Sequence, residues 1–419
     1  MTFMRAGSAS VVWRLARAAC GTPVAIVALV VLVAMSRGAT IDAQDEVRAL
    51  WVVRSSLTSP AAVETMVSDA AANGFNTLLV QVRGRGDAYY RHGLEPRPSA
   101  LEALPDFDPL AMTIARAHGA KLQVHAWVNV NLVASASQLP TSREHVIYRH
   151  PEWLMVPRAL AGELTTLDPR AAEYLDTIAR YLRSRSEDIE GLYLSPITSE
   201  AAAYTVKIVR DIAERYDVDG IHLDYIRYPS DDFDYSHEAL SAFRRSVDPD
   251  LAPSERQRYE ARLTAEPLIY TDAFPERWRS FRTARLTALV ENLSRAVKAA
   301  RPTATVSAAV QPNARVAAAR RSQDWVEWLR RGAVDVVCPM VYTTDASQFA
   351  AQLALAREGA GAHPLWAGIG AYQLSVGQIA DNIQTARRAG AHGIALFSYD
   401  SLIDPSRGLG SFARLDFWK

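Results

Sequence analysis

From Arg48 onward, short apolar runs alternate with stretches whose apolar positions recur every three or four residues. The first pattern predicts buried strands and the second amphipathic helices. Eight runs read as strands: RALWVV from Arg48, NTLLVQVR from Asn76, KLQVHAWVNV from Lys121, DGIHLDYIRY from Asp219, ATVSAAVQP from Ala304, VDVVCPMVY from Val334, PLWAGIGAY from Pro364 and HGIALFSYD from His392. The helices between them have legible ends. Ser59 precedes Pro60 and Gly74 follows; Asp108 precedes Pro109 and Gly119 follows. An oxygen-bearing cap meets the free amides of a first turn, proline gives up an amide that had no partner, and glycine takes a left-handed exit. Trp278, Phe281, Leu286, Leu289, Leu293 and Val297 fall on one face of a longer helix. Sustained alternation of this kind implies parallel strands, and eight units imply an α/β fold closed as a (β/α)8 TIM barrel. An open doubly wound sheet is the alternative, but no glycine-rich phosphate turn follows the first strand.

Two connections exceed a simple helical return, one after strand three from Asn131 to about Arg215, the other after strand four from Ser230 to Glu276. The first contains RHPEWLMVP, TTLDPR and two helical stretches; the second is acidic and aromatic at its start. Both leave the C-terminal ends of strands, where such barrels build their sites, so they read as lids or subsite walls, with loose insertions as the plainer reading.

The N-terminus is a different kind of sequence. Arg5, Arg14 and Arg17 precede an almost purely apolar run from Pro23 to Met35, and small residues follow at Gly38, Ala39 and Ala43. Residues 1–43 are expected to be a secretory signal peptide or, uncleaved, a membrane anchor; residues 44–419 then form one exported domain, periplasmic or in the cell envelope. Lys plus Arg and Asp plus Glu each total 46, a balance with no signature of nucleic acid or of an acidic surface as partner. There are two cysteines, Cys20 in the leader and Cys338 in a strand; a disulfide framework is excluded and Cys338 reads as a small core residue.

Residues two apart on a strand share a face. In DGIHLDYIRYP this pairs His222 with Asp224, and Tyr225, Arg227 and Tyr228 follow. An outward Asp224 would lie beneath a helix, an expensive position for an unpaired carboxylate, so the inward orientation at the barrel mouth is expected. Other strands also end in polar groups: Gln81 and Arg83 on the second, His125, Trp127 and Asn129 on the third, Gln311 on the fifth, Tyr342 on the sixth and Asp400 on the eighth. Each has a plainer reading. Arg83 fits an ion pair with Asp224 or Asp87, the histidines fit a satisfied core, and Trp127 fits a core as readily as a sugar platform. Asp219 fits a role in orienting the start of its strand.

Taken in order, RALWVV, GFNTLLVQVRGRGDAYY, FDPLAMTIARAHGAKLQVHAWVNV, RYDVDGIHLDYIRYP, CPMVY and GIALFSYDSL resemble the glycosyl-hydrolase-like ten family over nearly everything from Glu46 to Leu402. The resemblance implies a TIM barrel acting on a bacterial envelope polysaccharide, with peptidoglycan glycan strands as leading substrate and no cofactor or metal. Two departures stand out: Tyr225 occupies a position where many members carry a second acid, and Pro339-Met340 replaces Pro-Gln.

Glycoside cleavage ordinarily uses two carboxyl groups. Asp224 is the first, in a basic-x-Asp arrangement that also resembles the nucleophile of alpha-amylase barrels. His222 would then touch a sugar hydroxyl or keep Asp224 ionised, as Arg83 or Arg227 would. Asp400 is expected as the second carboxyl, ahead of Asp87, Glu95 and Asp345. Gln81, Arg83, His125, Trp127, Asn129, His222, Tyr225, Arg227, Tyr228 and Tyr342 are expected to bind substrate. Two other readings stay open: a barrel that binds glycan without cleaving it, and a metal-dependent hydrolase using His125, His222 and Asp224, against which stands the lack of His-x-His on the first strand and of His-Glu-x-x-His.

Overall fold

The computed structural model describes residues 46–407 and Trp418. The expected leader, including Cys20, lies outside the described residues. Eight parallel strands close into a barrel: β1 (Val47–Val52), β2 (Thr77–Arg83), β3 (Gln123–Asn129), β6 (Gly220–Asp224), β7 (Thr305–Val310), β8 (Val336–Val341), β9 (Trp366–Gly370) and β10 (Gly393–Phe397). The ring closes through β1, which pairs with both β2 and β10. Between β3 and β6 lies a two-stranded antiparallel sheet, β4 (Leu132–Ala134) and β5 (Leu192–Tyr193), which the apolar pattern does not announce.

The helix ends follow local chemistry. Ser59 accepts the Ala62 amide at the head of Pro60–Ala72, and Asp108 accepts the Ala111 amide at the head of Pro109–Gly119. Gly74 takes the first helix out with φ 72°. The second differs from expectation: Gly119 is the last helical residue, and the left-handed turn falls on Lys121 at φ 61°. Asp219 orients its strand as expected, accepting the Val124 amide at 2.8 Å and facing His118 at 2.9 Å.

Alternation sorts the barrel residues. Leu50, Val52, Leu78, Val80, Ile221 and Leu223 join the apolar layer beneath the helices, whereas Ala49, Trp51, Leu79, Trp127, Cys338 and Trp366 fill the interior. Large interior rings need gaps opposite them. A Cβ at Gly220 would lie 2.5 Å from His125 Nδ1, so glycine is what admits that imidazole.

Both histidines sit in this filled interior rather than at an open rim. His222 Nε2 lies 3.1 Å from the Trp51 indole nitrogen, which can only donate; the neutral ring therefore carries its proton on Nδ1 and donates it to Ser307 Oγ at 2.9 Å. Burial lowers the His222 pKa to about 3, with His125 adding to the effect, and burial lowers His125 to about 4. His222 is thus neither a sugar contact nor a cation that holds Asp224 ionised.

Arg83 is also structural, with a different partner from those expected. A register shift between Gln81 and Arg83 breaks the β2–β3 ladder, and such a bulge re-aims a side chain. The guanidinium grips Glu95 through two bonds of 2.6 and 2.7 Å, both side chains being 0% exposed, and it also bonds the Asn129 and Val130 carbonyls. Tyr228 is buried in the main apolar core, its hydroxyl without a hydrogen-bond partner among the described residues.

The two long connections are ordered walls. The one after β6 buries Tyr235, Phe243, Ile269 and Tyr270 in an apolar cluster with Ala161 and Ile197 of the first connection and Trp278 of the helix Pro275–Ala300. Buried Asp234 ties it to the other, accepting the Val156 amide at 2.9 Å from the first wall and the Ser236 amide at 2.9 Å from its own.

Glu95→Gln should cost about 3–5 kcal/mol in denaturant unfolding because it leaves a buried guanidinium uncompensated, while Arg83→Met/Glu95→Leu should recover much of that loss. The histidines give a pH dependence of fixed sign. Their ordinary pKa of about 6.5 in the unfolded chain exceeds the folded values, so the unfolded state binds more protons as pH falls. The stability is full above about pH 6.5 and is lost as pH descends toward 4. Unfolding midpoints between pH 7 and 4.5 should therefore drop more steeply in the native sequence than in His222→Gln.

Candidate active site

The strands end around a hollow of about 230 Å³, to which β1, β2, β3, β6, β7, β8 and β10 contribute Trp51, Gln81, Trp127, Asn129, Asp224, Ala309, Met340 and Phe397. The loops add Arg54, Arg85, Tyr225, Arg227 and Tyr342. A larger hollow of about 760 Å³, lined by His150, Trp153 and Thr198 among others, lies in the insertions and contains none of the strand-end residues. Position at the C-terminal rim, not volume, selects the smaller one.

Asp224 ends β6 and is 7% exposed. Tyr225 then turns left-handed, at φ 48°, and its amide donates to Asp224 Oδ1 at 2.6 Å. That turn is uncommon for a residue with a large side chain and bends the chain back over its own carboxylate. Burial pushes the Asp224 carboxyl above the ordinary range; Arg227 and the Tyr225 amide pull it down, and Glu190 pushes it up. The net direction is upward, which lets the group hold a proton where an exposed aspartate would not.

Neighbouring side chains are held in place. Trp127 Nε1 donates to Asn129 Oδ1 at 2.9 Å, and Asn129 Nδ2 donates to the Gly84 carbonyl at 2.8 Å. Arg54 donates to Gln81 Oε1 at 3.0 Å. Tyr342 stacks on Phe397 with ring centres 5.6 Å apart, and burial, then the Asp224 charge, keeps its phenol protonated. The Arg227 guanidinium lies 4.6 Å from the Tyr225 ring centre and donates to Glu190 at 2.7 Å. The cavity therefore combines aromatic faces, fixed amides, three guanidiniums and one carboxyl.

Of the residues expected to form the site, Gln81, Trp127, Asn129, Asp224, Tyr225, Arg227 and Tyr342 line this cavity together. Arg83, His125, His222, Tyr228 and Asp400 do not. Asp400 belongs to the short helix Tyr399–Ile403 that follows β10, where strand alternation no longer governs its direction. The rim acids behind it have structural partners: Asp87 accepts the Gly84 and Arg85 amides, Asp345 caps the helix Ala346–Ala360, and Glu95 is locked to Arg83. The metal-ligand reading does not assemble either, since both nitrogens of His222 are engaged by Trp51 and Ser307. Among the described residues no group of three or more His, Cys, Asp or Glu is arranged to hold a metal ion.

Sequence reasoning missed Trp51, Arg54, Arg85, Phe397 and Glu190. Trp51 and Phe397 had a usable signal, since alternation along their strands gives their direction. Glu190 had none, because its partner Arg227 is 37 residues away. Tyr225 and Met340 both line the cavity.

Known proteins resemble this chain in sequence and in fold. The chain is 26% identical over 170 residues to glycosyl hydrolase YngK of Bacillus subtilis, covering 39% of this chain and 27% of that protein. It is 23% identical over 296 residues to glycosyl hydrolase DigH of Escherichia coli, covering 64% of this chain and 55% of that protein. It thus spans about a quarter and about half the length of those relatives. In fold it is similar to the PgaB (BpsB) glycoside hydrolase domain from Bordetella bronchiseptica, with a TM-score of 0.59, 15% identity, and coverage of 87% of this chain and 98% of that one. The glycosyl hydrolase-like 10 model matches residues 46–361, the greater part of the sequence, and the chain belongs to that family.

Proposed function

We propose that this protein is a glycoside hydrolase of the bacterial envelope, with peptidoglycan glycan strands as its substrate and Asp224 as the acid–base group at the scissile bond. The observation that carries the reading is the buried Asp224 carboxyl, lining the strand-end cavity and raised above its ordinary pKa. A carboxyl in that state is suited to protonating a glycosidic oxygen and recovering the proton from water later. Trp51, Trp127, Tyr225, Tyr342 and Phe397 supply ring faces suited to the C–H faces of a pyranose, and Gln81 and Asn129 supply amides for its hydroxyl or acetamido groups. The guanidiniums of Arg54 and Arg85 favour a sugar that carries an anion, which supports a muramic acid unit with a free carboxylate. The apolar leader at Pro23–Met35 supports an exported location, cleaved or anchored.

Asp400 has no role in this scheme. Among the described residues Asp224 is the carboxyl lining the cavity, and that observation also favours the second reading, a barrel that binds glycan without cutting it. Incubation with intact and peptide-stripped peptidoglycan, followed by mass analysis of released fragments, separates the two. The hydrolase reading expects new reducing ends, more from stripped strands. Retention of glycan in pull-downs with no release would instead establish the binder. Asp224→Asn should lower kcat/KM by about 10²–10⁴-fold while leaving KM and the unfolding midpoint nearly unchanged; full activity in that variant would refute the assignment.

A further inference from the structure

Glu190 reaches the site from outside the barrel. It immediately precedes Gly191 and β5, in the wall formed after β3. Gly191 has φ 153°, and a Cβ there would fall 2.0 Å from the Ala134 carbonyl oxygen, so this stretch is pressed against β4 in a way no other residue permits. The Glu190 carboxylate accepts from Tyr193 Oη at 2.7 Å and from Arg227 Nη2 at 2.7 Å. Arg227 is buried, and its Nε has no hydrogen-bond partner among the described residues. Its flat guanidinium lies against Tyr225, whose amide in turn holds Asp224 Oδ1.

Arg227 is thus a cation with two carboxyl neighbours, bonded to Glu190 and lining the same cavity as Asp224, whose charge it feels. Its allegiance has chemical consequences. A guanidinium paired with Asp224 would hold that group ionised and unable to deliver a proton. We propose that Glu190 is a positioning residue that draws Arg227 away from Asp224 and so keeps the Asp224 carboxyl available as a proton donor. The inference rests on the acid–base reading of Asp224 given above.

The surrounding charges are consistent with this division. Asp224 is faced by Arg227, Glu190, Tyr225, Tyr342 and Cys338, with Arg54 and Arg85 lining the same cavity. Glu190 is faced by Arg227, Tyr193 and Arg321. Burial works against ionising Glu190, yet Arg227 and the Tyr193 hydroxyl hold its pKa below the ordinary value, so it stays anionic. Removing that anion acts on Asp224 twice in one direction. A negative charge that raised its pKa disappears, and a guanidinium with an unfilled donor is released toward it.

The test is the pH dependence of kcat/KM on glycan strands in Glu190→Gln, Glu190→Asp, Glu190→Gln/Arg227→Met and Asp224→Asn, with unfolding midpoints measured alongside. In Glu190→Gln the alkaline limb should move to lower pH by about one unit, with kcat at the native optimum down about tenfold and KM within about twofold. Glu190→Asp, which keeps the charge, should retain the native limb. The double variant should return the limb to its native position or to higher pH, an outcome that loss of packing at Glu190 cannot produce even if the single variant is less stable. An unmoved limb in Glu190→Gln, or one that Arg227→Met does not restore, overturns the positioning role. Full cleavage by Asp224→Asn instead overturns the acid–base reading on which it rests, whatever the limbs do.

Discussion

In a closed parallel barrel a strand side chain has two destinations, and the pleat assigns them in strict turn. Everything about this site depends on that rule at β6. Ile221 and Leu223 go to the apolar layer under the helices, which commits His222 and Asp224 to the interior. Depth then separates the two. His222 is enclosed among Trp51 and Ser307 and stays neutral, whereas Asp224, one pleat nearer the end, reaches the cavity. One pleat along the strand thus divides an enclosed, neutral imidazole from a carboxyl that lines the cavity.

The same rule explains how much could be read in advance. All eight barrel strands, the caps at Ser59 and Asp108, the orienting role of Asp219 and the inward turn of Asp224 follow from short-range pattern, and each is present. Its reach ends where the chain leaves the pleat. Arg83 is displaced by a bulge and finds Glu95 across a loop; Asp400 belongs to a helix, and Tyr228 turns into the core beyond the end of β6. The β4–β5 pair and Glu190 depend on contacts between segments far apart in sequence, for which local periodicity carries no information.

Within the cavity, solvent exclusion and one cation compete over a single carboxyl. Burial pushes Asp224 toward its protonated form, and the Arg227 charge pulls it the other way. The observed arrangement sits between these, because Arg227 is shared with an anion supplied by a different part of the chain. Tyr225 touches both partners, lying against Arg227 with its ring and fastening Asp224 with its amide.

Asp234 has an implication for how the two walls depend on each other. Its carboxyl is satisfied by amides from both walls, so shortening the first costs buried Asp234 a donor, and shortening the second leaves the buried Val156 amide without its acceptor. The two insertions are therefore coupled through one side chain: altering either leaves a buried polar group of the other short of its partner. The strands of the barrel beneath do not depend on that carboxyl.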